Sequence, residues 1–150
     1  MEIERKFLIP CLPEGYDAHP FHQIEQAYLC TEPVVRIRQE DDSFYLTYKG
    51  KGLLSREEYN LPLTREAYAH LLPKADGVVL TKKRYLIPLD GSDHLTLELD
   101  VFEGRYAGLL LAEVEFTSEE EAMAFQAPEW FGRDVTFTRE YQNSRLACGK

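Results

Sequence analysis

Charged side chains recur two residues apart at six places in this sequence. The six sets are Glu2/Glu4/Lys6, Arg36/Arg38, Arg56/Glu58, Lys82/Arg84, Glu98/Asp100 and Glu113/Glu115. Because side chains of a β-strand alternate between its two faces, residues two apart share a face and lie roughly 7 Å from each other. The residues between them are mostly apolar. Each segment is therefore predicted to be a strand with one apolar face and one charged face.

These shared faces allow two interpretations. In the first, the charges are the solvated side of a half-exposed sheet, which is the ordinary situation for any single strand. In the second, they surround an ionic ligand. Three of the sets place carboxylates together and two place basic residues together, and like charges at close range repel unless an ion lies between them. The six sets taken together favour an ion-binding site.

The donor types indicate the chemistry of such a site. Carboxylate oxygens suit hard divalent ions such as Mg²⁺ or Mn²⁺ and do not favour zinc or copper. Two such ions beside the basic residues would give the site a positive charge that matches a triphosphate chain. The sequence has neither a Walker-type loop nor a serine, cysteine or histidine arrangement for nucleophilic catalysis. Water is the expected attacking group.

Period-two alternation predicts eight strands, and turn residues between several of them favour antiparallel pairing. The strands cover about 2–9, 23–30, 34–40, 43–50, 55–63, 78–89, 94–103 and 108–117. Helical patterns are confined to Thr64–Leu72, to a segment starting at Ser118, where Ser118 and Glu121 form a capping box, and to the tail from about Thr138. We expect one β-dominated α+β domain over residues 1–150, built as a sandwich or a closed barrel.

Composition excludes several classes of protein. A net charge of −9 argues against an open surface that binds nucleic acid, which requires outward-facing basic residues. The sequence has no secretory pattern at its start and no apolar run long enough to span a membrane, so we expect a cytoplasmic protein without a membrane partner. Its three cysteines lack the spacing of a thiolate metal site. The sequence does not define an oligomeric state.

Taken in order, the charged segments resemble the CYTH superfamily, also called the triphosphate tunnel metalloenzymes. The hallmark E-x-E-x-K stands here as Glu2-Ile3-Glu4-Arg5-Lys6. The other elements follow as V-R-I-R, T-Y-K, S-R-E-E-Y, K-K-R-Y, L-E-L-D-V-F and A-E-V-E-F. The resemblance covers essentially the whole chain. It implies a closed eight-stranded antiparallel barrel with a tunnel, and so favours the barrel over the sandwich.

By this resemblance, one side of the tunnel binds two divalent ions and the other side grips phosphates. The implied metal ligands are Glu2, Glu4, Glu58, Glu98, Asp100, Glu113 and Glu115. The implied substrate contacts are Arg36, Arg38, Lys49, Arg56, Lys82, Arg84 and Arg139. Tyr28 is a further candidate contact, for which packing in the barrel wall is the alternative. Lys6 and Lys82 are the candidate catalytic residues, and Lys6 has the alternative role of holding the carboxylates in place.

The resemblance does not fix which triphosphate is the substrate. The superfamily includes adenylyl cyclases, thiamine triphosphatases, inorganic tripolyphosphatases and RNA triphosphatases. A short chain beginning on the hallmark favours the bacterial inorganic tripolyphosphatase branch, and the only tryptophan, Trp130, lies in a turn where it more plausibly covers the core than stacks a base. The alternatives are adenylyl cyclase or thiamine triphosphatase activity and, in another class, a non-catalytic polyphosphate-binding module.

Overall fold

Nine antiparallel strands form one sheet in the computed structural model, which describes residues 1–92 and 94–149. The strands are β1 Glu2–Leu8, β2 Phe21–Thr31, β3 Val34–Glu40, β4 Ser43–Lys49, β5 Ser55–Arg56, β6 Glu58–Pro62, β7 Asp76–Pro88, β8 Thr96–Phe102 and β9 Leu110–Glu115. Their order across the sheet is β5-β1-β9-β8-β7-β2-β3-β4-β6.

The two edge strands of this sheet are consecutive in the chain. β5 pairs with β1, and β6 pairs with β4. Only Glu57 lies between β5 and β6, so one short segment joins both edges and the sheet curves into a nearly closed barrel. The antiparallel barrel confirms the expected fold class. The expected single strand 55–63 is divided at Glu57, because the chain changes partner there, and this division gives nine strands where the sequence predicted eight.

The register between strands groups the inward-facing charges by sign. Cross-strand neighbours include the pairs Glu4/Glu115, Lys6/Glu113, Glu98/Glu113, Arg84/Asp100, Glu2/Arg56 and Lys49/Glu58. The adjacent strands β1, β9 and β8 carry most of the carboxylates, while β7, β3 and β4 carry most of the basic residues. An acidic wall and a basic wall therefore face the same interior.

Apolar side chains on the outer faces form two cores, one of which is the largest hydrophobic cluster of the described residues. One core packs Phe7, Leu97 and Leu99 against the segment that follows α2 (Glu119–Ala124). Another is covered by α1 (Arg65–Leu71), whose Tyr68 packs against Phe44 of β4. Short 3-10 turns lie at Tyr16–Ala18, Leu72–Lys74 and Gly104–Tyr106. The outward apolar faces predicted from alternation are thus buried, and the charged faces are left to line the barrel.

One end of the barrel interior is apolar and is plugged by α3 (Asn143–Ala147). Leu80, Phe102 and Leu111 share strand faces with charged residues of the interior, and they pack against Leu146 of α3. The Tyr106 hydroxyl also donates a hydrogen bond to the Leu146 carbonyl at 2.6 Å. The charged side chains therefore line only the part of the barrel interior that α3 and its apolar neighbours do not fill.

The helices α1 and α2 begin directly after Thr64 and Ser118, and the sequence had indicated Ser118 as a capping residue. The Thr64 hydroxyl oxygen accepts a hydrogen bond from the backbone N–H of Ala67 at 3.0 Å, and Ser118 does the same for Glu121 at 3.1 Å. These bonds satisfy backbone donors that a helix N-terminus leaves free. Within the described part of the chain, no helix is long and apolar enough to span a membrane.

The expected start of the C-terminal helix at Thr138 is wrong, because α3 begins at Asn143. The backbone N–H of Val135 donates to the Lys6 carbonyl at 2.8 Å, which holds the preceding segment extended along β1. The chain then needs a turn, closed by a hydrogen bond from the Gln142 N–H to the Arg139 carbonyl at 3.1 Å, before a helix can start.

Truncation of Leu99 tests the assignment of the outer core. Leu99 is 0% exposed, whereas Leu61 on β6 is 58% exposed. Leu99→Ala should lower the free energy of unfolding by about 2–5 kcal/mol because it removes buried methyl groups and leaves a cavity. The control Leu61→Ala should change it by less than ~0.5 kcal/mol. Urea denaturation of both variants measures the difference, and equal effects would contradict the assignment of these two faces.

Candidate active site

A cavity of about 670 Å³ occupies the charged part of the barrel. The predicted site residues that line it are Glu2, Glu4, Lys6, Tyr28, Arg36, Arg38, Lys49, Arg56, Glu58, Arg84, Glu98, Glu113 and Glu115. Its volume is that of a typical small-molecule site. The fold therefore brings most of the predicted residues, from strands distant in sequence, to one interior surface.

Three predicted site residues lie outside this cavity. Lys82 and Asp100 are both 0% exposed, and the Lys82 ammonium lies 2.7 Å from the Asp100 carboxylate behind the cavity wall. Burial lowers the pKa of Lys82 to about 7, although Asp100 opposes this effect. Arg139 lines a second, separate cavity. Strand alternation placed Lys82 and Asp100 at the wall because it gives the face of a residue but not its depth. Arg139 lies outside the strands and was implied only by the family resemblance.

Arg84 organises the acidic wall. Its Nε and Nη2 donate hydrogen bonds to the two oxygens of Asp100 at 2.7 and 2.9 Å, and Nη2 also donates to Glu113 at 3.0 Å. Its Nη1 donates to Glu98 at 3.3 Å. Burial by itself would raise the pKa of Glu113, but Lys6 and Arg84 hold it well below its usual value. Arg84 was predicted as a substrate contact, yet its donors are already engaged by carboxylates.

The cations of β1, β4 and β5 are also paired with the acidic wall. The Lys6 ammonium lies 3.2 Å from Glu113, and although burial lowers its pKa, the carboxylates of Glu113 and Glu4 raise it above the usual value. The Lys49 ammonium lies 3.0 Å from Glu2, and the Arg56 guanidinium lies 3.6 Å from the same carboxylate. Because of these pairs, fewer cations of the cavity are available to an anionic ligand than the number of basic site residues suggests.

Three carboxylates that line the cavity form no hydrogen bond or ion pair with the described residues, namely those of Glu4, Glu115 and, near one opening, Asp42. Glu4 and Glu115 face each other across β1 and β9. Burial raises the pKa of Glu4 to about 8, and the carboxylates of Glu113 and Glu2 add to this effect. Burial and the carboxylate of Glu2 also raise the pKa of Glu115. A cation between such groups would relieve both the repulsion and the desolvation.

The donor set of the cavity fits a hard divalent cation. Its carboxylates are Glu2, Glu4, Glu58, Glu98, Glu113 and Glu115, together with Glu40 and Asp42 near one opening. No three acidic, histidine or cysteine side chains in residues 1–92 and 94–149 converge as a ready-made metal cluster. The ammonium and guanidinium groups of Lys6, Lys49 and Arg84 occupy several of the oxygens instead. All-oxygen donors and two uncompensated carboxylates match Mg²⁺ or Mn²⁺.

Arg36 and Arg38 form the opposite, basic wall. Arg36 is 5% exposed, its Nη2 donates to the Thr47 hydroxyl at 3.1 Å, and its buried Nε has no hydrogen-bond partner. Burial and the neighbouring Arg38 lower the pKa of Arg36. The nearest carboxylate to Arg38 belongs to Glu40, at 3.7 Å. A buried guanidinium without an anion is costly, so this wall is suited to an anionic ligand.

Gln26 and Asn143 contact the site residues but were not predicted from the sequence. The Gln26 side-chain oxygen accepts hydrogen bonds from Nε and Nη2 of Arg38 at 2.9 and 2.5 Å. The Asn143 oxygen accepts from the Gln26 amide at 3.2 Å and from the Lys82 ammonium at 3.1 Å. This chain of bonds ties α3 to the basic wall. Neutral amides give no charge pattern, and the one available signal was that Gln26 shares a strand face with Tyr28.

Two known triphosphatases match nearly the full length of this chain. An inorganic triphosphatase of Nitrosomonas europaea is 40% identical over 149 residues, which cover 97% of this chain and 96% of that protein. An inorganic triphosphatase of Acetivibrio thermocellus is 33% identical over 152 residues, which cover 97% of this chain and 92% of that protein.

The fold and the family agree with these matches. The crystal structure of the inorganic triphosphatase NE1496 superposes with a TM-score of 0.73 at 36% identity, covering 99% of this chain and 95% of that one. The family model described as the CYTH domain matches residues 1–146. With its barrel, its opposed acidic and basic walls and this full-length similarity, the chain belongs to the CYTH domain family.

Proposed function

We propose that this protein hydrolyses inorganic tripolyphosphate with the help of divalent cations. The observation that carries the proposal is that one cavity holds both a buried guanidinium without an anionic partner, Arg36, and two neighbouring carboxylates without an ion pair, Glu4 and Glu115. The guanidinium attracts phosphate oxygens and the carboxylates attract metal ions, so a metal-bound oligophosphate satisfies both. The names of the two bacterial relatives support the same reaction. A cytoplasmic location is part of the proposal.

The acidic wall would hold the metal ions, two in our proposal. The carboxylates able to do so are those lining the cavity, Glu2, Glu4, Glu58, Glu98, Glu113 and Glu115. Bound Mg²⁺ or Mn²⁺ supplies charge neutralisation for the phosphates and lowers the pKa of a coordinated water. Asp100 has a supporting role, because both of its oxygens are engaged by Arg84 and Lys82. Lys82 then acts through Asp100 and not as a catalytic residue.

The basic wall would bind and orient the phosphate chain. Arg36 and Arg38 present planar donor groups that match the geometry of phosphate oxygens. Gln26 fixes the plane of the Arg38 guanidinium through its two hydrogen bonds. Tyr28 is 3% exposed and lines the cavity beside them, so its hydroxyl is within the same anion-binding surface.

The chemical step is the transfer of the terminal phosphoryl group to water. A water oxygen bonds to the terminal phosphorus while the bond from that phosphorus to the bridging oxygen breaks, which yields orthophosphate and pyrophosphate. The protons of the water pass to the products or to solvent. Arg36 and Arg38 stabilise the charge on the phosphoryl oxygens, and Lys6 and Arg84 hold Glu113 in position.

The structure also bears on whether the substrate has an organic group. Trp130 packs edge-to-face on Phe131 at 4.7 Å between ring centroids and lies outside the lining of the tunnel cavity, as its turn position predicted. Tyr45, however, lines the cavity close to Glu40 and Asp42. An aromatic ring at this opening is the feature that would favour ATP or thiamine triphosphate as the alternative substrate.

A substrate panel with and without divalent ions tests the proposal. With Mg²⁺ or Mn²⁺, tripolyphosphate should be hydrolysed with a kcat/KM at least about tenfold above that of ATP or thiamine triphosphate, a difference of about 1.4 kcal/mol. EDTA should abolish phosphate release. Cyclic AMP and pyrophosphate formed from ATP would identify a cyclase, and tight binding without turnover under any divalent ion would identify a binding module. Equal or better turnover of ATP or thiamine triphosphate would overturn the choice of substrate, and no phosphate release from tripolyphosphate under any divalent ion would refute its hydrolysis.

Replacement of Arg36 tests the basic wall. Arg36→Ala should lower kcat/KM for tripolyphosphate by roughly 10²-fold to 10³-fold, because it removes a buried donor to the phosphoryl oxygens. Its melting temperature should not fall, since no carboxylate of the described residues loses a partner. The control Arg133→Ala removes an exposed guanidinium paired with Glu140 and should leave kcat/KM within about twofold. Unchanged kinetics of Arg36→Ala would remove Arg36 from the site.

Replacement of Glu4 tests the electrostatics of the metal-free acidic wall. The pKa of Glu4 is about 8 in the folded protein against a usual 4.5, so the folded state binds this proton more tightly than the unfolded state. The free energy of unfolding should therefore fall as pH rises from 4.5 to 8. Glu4→Gln does not titrate, and in EDTA at pH 8 it should exceed the parent protein by at least ~1 kcal/mol.

Urea denaturation at pH 5 and pH 8 measures this difference. At pH 5 the two proteins should be nearly equal in stability, because Glu4 is then protonated. Glu14→Gln is the matched control, since Glu14 is exposed and lies outside the cavity. A parent protein and a Glu4→Gln variant with the same pH dependence would contradict the assignment of Glu4 as an uncompensated buried carboxylate.

A further inference from the structure

A second cavity of about 580 Å³ adjoins the first at the opposite end of β3. The first cavity reaches the turn after β3, where Glu40 and Asp42 line it. The second is lined by the turn before β3, by the loop after β4 and by the chain around α3. Four residues line both cavities, namely Val34, Lys49, Arg56 and Ser144. The two spaces therefore share a wall that carries Lys49 and Arg56.

Three further cations line only the second cavity. They are Lys51, Arg139 and Arg145, and none of them forms an ion pair with any residue of 1–92 or 94–149. Glu32 is the one acidic residue among the described residues of this lining. In a chain with a net charge of −9, this cluster makes the second opening locally positive, whereas the first opening carries carboxylates.

We propose that the second cavity is a binding subsite for an inorganic phosphate anion, the orthophosphate or pyrophosphate released in the first cavity. The identity of the ligand rests on the proposed function, because hydrolysis of tripolyphosphate forms these two anions. At this end, an anion beside Lys49 and Arg56 lies next to three further cations, Lys51, Arg139 and Arg145, and one acidic residue, Glu32. At the other end it meets Glu40 and Asp42. The subsite also accounts for the position of Arg139, which lies away from the tunnel cavity.

The double variant Lys51→Ala/Arg145→Ala removes two of the unpaired cations. Both side chains are exposed, so the variant is expected to fold normally. The matched control Lys74→Ala/Arg133→Ala removes the same charge from residues that line neither cavity. Both variants are also made in the Arg36→Ala background, which weakens anion binding by the first cavity and so isolates the second.

Equilibrium dialysis with radiolabelled orthophosphate, and separately with pyrophosphate, measures binding to the metal-free proteins at low ionic strength. In the Arg36→Ala background, Lys51→Ala/Arg145→Ala should weaken binding at least about tenfold, and the control should weaken it less than about twofold. The anion that binds more tightly identifies the occupant. Equal binding by the double variant and its control, for both anions, would overturn the subsite.

Product inhibition provides a second test of the subsite, in the protein that keeps Arg36. Added orthophosphate or pyrophosphate should lower kcat as well as kcat/KM for tripolyphosphate, because the subsite and the substrate site are occupied together. In Lys51→Ala/Arg145→Ala the effect on kcat should disappear, while kcat/KM without added product stays within about twofold of the parent. An unchanged inhibition pattern would refute the subsite. Absence of turnover in the parent protein would refute the proposed hydrolysis instead, and the dialysis result would still decide the subsite.

Discussion

The bidentate ion pair between Arg84 and Asp100 is the interaction on which the interior of this barrel depends. Asp100 is 0% exposed to solvent, so its negative charge is stable there only because Arg84 and Lys82 each lie 2.7 Å from one of its oxygens. The same guanidinium extends to Glu98 and Glu113 on the next two strands. One buried cation thus fixes three carboxylates, and the apolar plug around α3 excludes water from the end of the network.

Most charged side chains of this interior are paired with an opposite charge, and the few that are not indicate function. Glu4 on one wall is half-buried and Arg36 on the other is buried, yet neither side chain has an oppositely charged partner, and the exposed Glu115 beside Glu4 has none either. Isolated unsatisfied charges lower stability, so a folded protein that keeps them on opposite sides of one cavity is organised for a ligand that carries both signs. Membership of the CYTH family agrees with an anionic substrate that arrives with metal ions.

Barrel closure brings the junction of β5 and β6 to the tunnel cavity. The chain changes pairing partner at Glu57, and the residues on either side of it, Arg56 and Glu58, both line the tunnel cavity. The tunnel cavity reaches the carboxylates near β3–β4, and the second cavity, with Lys51 and Arg145, lies against its other end, where Lys49 and Arg56 line both.

The sequence by itself determined the strands and the charged faces, because alternation with a period of two fixes which side chains share a face. Its resemblance to the CYTH superfamily favoured the barrel over the sandwich and implied the roles of the site residues. The helix cap at Ser118 and the turn position of Trp130 followed from equally local rules. Only the tertiary structure decided which charges cancel. The tertiary structure buries Lys82 and Asp100 behind the wall and pairs Arg84 with Asp100. It also brings Gln26 to Arg38, brings Asn143 to Gln26 and Lys82, and places Arg139 at another cavity. These outcomes depend on contacts between residues far apart in the chain, about which the local periodicity of a strand carries no information.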